Sequence, residues 1–274
     1  MQLNIVSART GLSWVKLGVK TFLKQPLALS GLFLMFMALL SIASLIPLLG
    51  AALALALLPA CTLGLMAATR EAEKGHFPMP LILLSAFRAG KDRFQAMALL
   101  GGLYAAGFLT IMAISVLVDG GQFAKLYLVG GKLTEELVLK ADFQAAMWVT
   151  LSLYLPLSLM FWHAPALVHW HGLSPLKSLF FSFMACYKNF LAMTVYALVW
   201  SAAFVLTMLV VTIAAALLGN PVFAAVGMLP LALILFSMFF TSVYFSYRDS
   251  FIATSAPESL NQALEFTVSK KDPP

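Results

Sequence analysis

Six long apolar runs constrain this chain more than any other feature. They cover about residues 27–48, 51–69, 96–118, 145–170, 190–218 and 222–247, and no Asp, Glu, Lys or Arg stands well inside any of them. An α-helix needs roughly 20 mostly apolar residues to cross a hydrocarbon core, and each run approaches or exceeds that length. The first two are divided only around Pro47 and Gly50, and the last two by Gly219-Asn220-Pro221, so both pairs read as tight hairpins. The chain is 62% hydrophobic and 10% charged, against about 25% charged in an ordinary soluble domain. A chain this apolar cannot cover itself with polar surface in water. The fold class is therefore all-α: a polytopic membrane protein with six transmembrane helices.

The charge balance supplies direction. Arg9, Lys16, Lys20 and Lys24 precede the first span. Arg70, Lys74, Arg88, Lys91 and Arg93 lie between the second and third, Lys177 and Lys188 between the fourth and fifth, and Arg248, Lys270 and Lys271 after the sixth. Only Lys125, Lys132 and Lys140 fall on the other side. The positive-inside rule then places both termini in the cytoplasm. The net charge of +6 is this topology signal; a nucleic-acid partner would require a clustered basic face on a soluble fold. Cys61 and Cys186, 125 positions apart in apolar surroundings, form no disulfide framework and no metal motif. The first apolar run is too long for a signal-peptide core, so no cleavable leader is read.

A repeat organises the spans. At an offset of 96 residues, Leu83, Phe87, Ala89, Phe94, Ala96 and Met97 meet identical partners in Leu179, Phe183, Ala185, Phe190, Ala192 and Met193. The stretch 14–29 has the same plan with fewer identities. Each copy reads as a short helix, a basic residue (Lys24, Arg93, Lys188) and then a span. The chain divides into a single integral membrane domain, 1–256, built of three elbow-plus-hairpin pseudo-repeats (about 8–70, 78–171 and 173–250), and a cytoplasmic C-terminal helix and tail, 257–274. Cations at such elbows keep their charge among headgroups while their stems lie on apolar surface. Lys16, Lys20 and Lys24 recur every four residues on one helical stripe, with Val15, Val19 and Phe22 on the neighbouring face. This describes an interfacial amphipathic helix on an anionic leaflet. The candidate lipid-headgroup contacts are Lys16, Lys20, Lys24, Arg88, Lys91 and Arg93. The third elbow is nearly all apolar and is expected to sit deeper or beneath other helices.

Lipid tails are as apolar as Leu, so helices in a bilayer associate through close backbone approach at small residues. The second span carries Ala52, Ala56, Ala60, Gly64 and Ala68; the third carries Ala98, Gly102 and Ala106. Prolines mark the even spans: Pro59, Pro156 with Pro165, and Pro230. Each can kink its helix, and broken helices form transporter sites. The outer segment 119–144 has two Gly-Gly breaks, a short apolar-rich stretch between them, and Thr134 placed to cap a helix opening with Glu135 and Glu136.

Chemistry is sparse. An ionisable group in mid-bilayer is a functional candidate by default, and the absence of one argues against a carboxylate proton relay or a voltage sensor. The fourth span offers His163, His169 and His171, whose spacings of six and two miss the i, i+4 spacing of a zinc pair; Trp and His near a boundary are common anchors. Arg248 and Asp249 end the sixth span as an expected surface ion pair. A candidate pocket would involve His163, His169 and Arg248. No catalytic, cofactor-binding or metal-binding residues are assigned.

Three elbow-plus-hairpin units, the opening Trp14, Gly18, Phe22 and Pro26 spaced every four residues, and the closing Tyr247-Arg248-Asp249 resemble a family of uncharacterised proteobacterial six-helix inner-membrane proteins. That family is similar to the membrane domain of glycerophosphodiester phosphodiesterases, whose catalytic domain has no counterpart here. The resemblance implies six spans and a multi-pass place in the bacterial inner membrane, and it brings no catalytic residues. The functional expectation is a non-enzymatic protein, without cofactors, that binds or organises membrane lipids, anionic ones included, or a membrane-protein partner, with no nucleic acid. The alternative is a small-molecule or lipid transporter; a weaker one is an intramembrane enzyme using His163.

Overall fold

The computed structural model describes residues 2–47 and 49–252. The described chain is helical except for loops and a two-residue antiparallel ladder, in which β1 (Gln2–Leu3) pairs with β2 (Phe251–Ile252). Six helices are long and apolar enough to cross a membrane: α2 (Pro26–Ser44), α3 (Gly50–Glu73), α5 (Lys91–Asp119), α8 and α9 together (Ala141–His171), α11 (Phe190–Leu217) and α12 (Pro221–Ser250). They coincide with the six apolar runs to within a few residues. The helix expected at 257–266 and the tail to 274 lie outside the described residues.

Helix ends follow local chemistry. Pro26 and Pro221 open α2 and α12 at the position where a missing N–H costs nothing. Gly120 and Gly121, both at positive φ, end α5. The buried Asp119 carboxylate then accepts from the N–H groups of Gly121 (2.8 Å) and Phe123 (2.6 Å) at the start of α6 (Gln122–Leu128). Thr134 caps α7 (Glu135–Leu139) as expected, its Oγ1 accepting from Leu137 N–H. Lys140 is extended, so α7 does not continue into the fourth span.

A short helical segment precedes each odd span. α1 (Arg9–Lys24) precedes α2, and α10 (Pro175–Lys188) precedes α11. Before α5 the segment is a 3-10 turn, Pro80–Leu84, and the four-residue α4 (Ser85–Arg88), not the single helix that the sequence comparison implied. α1 packs chiefly on α12 and α11. The 3-10 turn and α4 pack on α3, and α10 packs on α8 and α9. The face of α1 expected to lie on a leaflet is thus docked on protein: Trp14, Val15, Gly18, Thr21 and Phe22 are buried. The reason is Gly18. Its missing side chain lets α1 close on the α12 backbone at Ser242, with no room for a Cβ.

The core runs through the middle of the bundle, where Trp14, Leu63, Met66, Leu100, Leu167, Tyr196 and Phe245 form one buried cluster. α11 instead turns Val205, Leu206, Met208, Leu209 and Val210 outward, as a lipid-facing helix would. The small-residue reading holds for α3, where Ala60, Gly64 and Ala68 are buried. On the third span it falls on the wrong face. Ala98, Gly102 and Ala106 are exposed, and Gly101 and Ala105 make the close contacts, Gly101 against the Ala56 backbone. Among the prolines, α3, α8 (Ala141–Trp162) and α12 continue through Pro59, Pro156 and Pro230. Only Pro165 coincides with a break, where α8 gives way at His163 to α9 (Ala164–His171).

Candidate functional site at the basic end of the bundle

The break at His163 is a built feature. Pro165 cannot sit beside the carbonyl of Phe161 in a regular helix, so the ladder opens here. Ser182, from α10, fills the gap: its Oγ accepts from His163 N–H (2.9 Å) and donates to the Leu159 carbonyl (2.8 Å). A side chain inserted into the i to i−4 ladder is a recognised cause of helix kinks. His163 itself is fully buried. Its Nε2 lies 3.1 Å from Ser246 Oγ on α12, and the Trp162 indole N–H donates to the same oxygen at 3.1 Å. Ser246 has one proton, which it donates to the Val243 carbonyl. Its oxygen therefore accepts from both rings, which assigns the proton of His163 to Nε2 and leaves Nδ1 facing the Cys186 thiol at 3.9 Å. One turn earlier, Ser242 does the same for Tyr196 (2.6 Å) and Trp200 (3.1 Å). His163 is thus a fixed strut in a serine-lined core rather than a boundary anchor. It does not open to the pocket that the sequence reading assigned to it.

The sequence reads Arg248 and Asp249 as a surface ion pair; the structure ties both to other helices as well. Arg248 Nε donates to Asp249 Oδ1 (2.8 Å), and its NH1 reaches Glu73 at the end of α3. Asp249 Oδ2 accepts from the Trp14 indole N–H at 3.0 Å. The opening tryptophan and the closing Arg-Asp pair are therefore one network, tying α1, α3 and α12 together. The four-residue spacing of Trp14, Gly18 and Phe22 marks the face of α1 that lies along α12. No local signal pointed to Glu73; it is reached only through the fold.

At this end of the bundle α3, α9 and α12 converge on a pocket of about 470 Å³, lined by Arg70, Trp170, His171, Tyr244, Tyr247, Arg248 and Phe251. Arg70 stacks its guanidinium over Trp170, 5.5 Å from the ring centroid, and Arg248 lies 4.9 Å from the centroid of Phe245. Of the three expected pocket residues, Arg248 alone lines it. His169 is half-buried beside Trp170, its Nδ1 without a partner among the described residues. Arg70, Trp170, Tyr244 and Tyr247 were missed because each reads alone as a boundary anchor. Only the convergence of three helices makes them neighbours.

The elbow cations divide by element. Lys16, Lys20 and Lys24 are exposed along α1, and Lys24 Nζ also donates to the Glu73 carbonyl at 3.0 Å. Arg88 and Lys91 are exposed, while Arg93 is half-buried with its guanidinium against Gly172. Among the described residues, no three His, Cys, Asp or Glu side chains gather as a metal site would require.

Comparison with known proteins finds a relative in Burkholderia thailandensis named a "probable inner membrane protein". It is 38% identical over 257 residues, which cover 92% of this chain and 94% of the relative. No protein-family model matches the chain, and no solved structure does. The resemblance to the membrane domain of glycerophosphodiester phosphodiesterases has no counterpart in these comparisons.

Proposed function

The chain belongs to the family of that Burkholderia protein, as a multi-pass protein of the bacterial inner membrane, and from this premise we propose that it is non-enzymatic and binds membrane lipid at its basic end. The observation that carries the reading is α1. Its apolar face is spent on α11 and α12, yet Lys16, Lys20 and Lys24 remain exposed on the opposite side. Lys24 is shared with the Glu73 carbonyl, while Lys16 and Lys20 stand clear of the packed face, and charges that do no packing are available to headgroups. Each basic residue beside an anionic leaflet is worth about 1 kcal/mol, screened beyond a Debye length of about 8–10 Å.

The proposal includes an architecture. The basic end faces the cytoplasm, by the positive-inside rule, and the six spans form three pseudo-repeats. The packing order supports the repeat. Each pre-span segment lies on the second span of the preceding unit: the 3-10 turn and α4 on α3, α10 on α8 and α9, and α1 on α12, which closes the ring. Leu83 and Leu179, aligned in the sequence, are both buried in these contacts. A transporter is the second reading. It draws on the interrupted fourth span and on a pocket of about 370 Å³ at the opposite end, between Leu40, Leu55, Phe108 and Tyr127.

Replacing Lys16, Lys20 and Lys24 together by Gln leaves the other cations of the basic end in place. Reporter fusions at Gly75 and Gly172 should still read cytoplasmic, and one at Gly131 periplasmic. Native mass spectrometry of the purified variant should then show less co-purifying phosphatidylglycerol and cardiolipin. Unchanged lipid on a correctly oriented variant would reduce these lysines to anchors and end the lipid reading of α1.

A further inference from the structure

We propose that the pocket where α3, α9 and α12 converge is a binding site for an organic phosphate, held by Arg70 and Arg248. This goes beyond the lipid-binding rim, because neither arginine belongs to the elbow clusters and the pocket lies between spans rather than along α1.

Charge comes first. Arg248 is compensated by Glu73 and Asp249, and Asp249 also holds Trp14. Arg70 has no ion-pair partner among the described residues; its guanidinium lies on the face of Trp170. Stacking on an aromatic face leaves the edge of the guanidinium, with its N–H donors, directed away from the ring. Arg93 adds a further positive charge nearby, against Gly172 at the end of α9. Three guanidiniums against two carboxylates leave the mouth of the pocket positive. An arginine fork matches the oxygens of phosphate in a way that a lysine point charge does not.

Shape comes second. A volume of about 470 Å³ falls within the range of about 300–1,000 Å³ of small-molecule sites, and a bare phosphate would leave most of it unfilled. Trp170, Tyr244 and Tyr247 supply flat apolar walls that carry an indole N–H and two hydroxyls, which suits the organic part of an ester. One to two turns inward from Arg70, Leu63 and Met66 are fully buried, as are Leu167 and Val168 just before Trp170. Packed side chains floor the pocket on these helices, a geometry for binding rather than passage. The phosphate could be carried by a soluble ester or by a lipid headgroup entering between helices; the chemistry of recognition is common to both.

The full chain, purified in detergent, would be titrated calorimetrically with glycerol 3-phosphate and with short-chain dihexanoyl phosphatidic acid. At least one should bind. Arg70→Gln should weaken that binding by about tenfold or more, the loss expected for one charge-assisted contact, and Arg70→Lys by less. The Lys16, Lys20 and Lys24 triple Gln variant should bind normally, which separates this site from the rim. Binding of glycerol 3-phosphate assigns a soluble ligand; binding of phosphatidic acid alone assigns a lipid. In the unmodified chain the bound ligand should slow phenylglyoxal modification of Arg70 but not of Arg9, a readout that needs no variant. No binding by either probe, binding that survives Arg70→Gln, or an unprotected Arg70 would overturn the proposal.

Discussion

α1 and α10 occupy matching places, each before an odd span and each packed on the second span of another hairpin, yet they are held by opposite means. α1 is amphipathic. One face is closed on α12 at Gly18 and bonded through Trp14 to Asp249, and the other carries three exposed lysines. α10 exposes Leu176, Phe180 and Tyr187 and reaches its neighbour with a serine that occupies a broken backbone ladder. One helix docks by removing a side chain, the other by inserting one. The lesson is that a position in an architecture fixes where a helix must lie, while the chemistry of attachment is free to differ.

The largest expected effect is at Gly18. A Cβ there would stand 2.7 Å from Ser242 Cα, and backbone cannot move aside as a side-chain tip can. Overpacking typically costs about 1–3 kcal/mol and more where nothing yields. Gly18→Val should lower the melting temperature of the detergent-purified protein by about 6–12 °C, on the scaling for domains of this size. A variant that melts within about 2 °C of the original would mean that α1 is loosely docked, and the contrast with α10 would collapse.

The contrast also shows what the sequence could and could not convey. The six spans were legible because they need only local hydrophobicity and length. The lysine stripe was legible because four-residue spacing puts residues on one face. The face opposite it was assigned to lipid, since nothing in residues 14–22 says that α11 and α12 will cover it. Likewise Ala98, Gly102 and Ala106 form a valid stripe at four-residue spacing, but Gly101 and Ala105 form another, and only the direction of the neighbouring helix chooses between them. The pocket lay further out of reach. Its walls come from residues 70, 170–171 and 244–251, which share no pattern until the three helices meet. Ser182 and Ser246 carry no signal in the sequence, because a serine in an apolar helix does not announce which carbonyl or N–H it will find.

Ser182 gives the next effect in size. Ser182→Ala strands His163 N–H inside the bundle and leaves the Leu159 carbonyl only the long contact from the Cys186 thiol at 3.8 Å. Leaving buried polar groups unpaired costs about 1–3 kcal/mol, so the melting temperature should fall by a few degrees, less than for Gly18→Val. Ser182→Thr keeps the hydroxyl and should recover part of the loss. If alanine and wild type melt together, the ladder closes without the serine, and α10 is held by apolar packing alone.

The smallest effect is expected for Trp14→Phe, and it asks which half of the α1 attachment matters. Trp14→Phe removes the indole N–H but keeps a ring against Tyr196, whose centroid lies 6.0 Å away in an edge-on arrangement. The carboxylate of Asp249 loses one donor and retains Arg248 Nε. Its side chain is 24% exposed, so water can take the vacated place, and the penalty of an unpaired charge is largely avoided. A loss of about 1 kcal/mol follows, mostly from the smaller ring. Trp14→Ala, the control that removes the ring as well, should cost clearly more than Trp14→Phe, because it empties a buried aromatic site. If instead Phe destabilises as much as Ala, the hydrogen bond to Asp249 is the principal tie. The network from Trp14 through Asp249 and Arg248 to Glu73 would then act as a single unit joining α1 to the second and sixth spans, and a double variant with Asp249→Asn would show strong non-additivity. Additive losses in the double variant would mean that the ring and the ion pairs hold α1 independently.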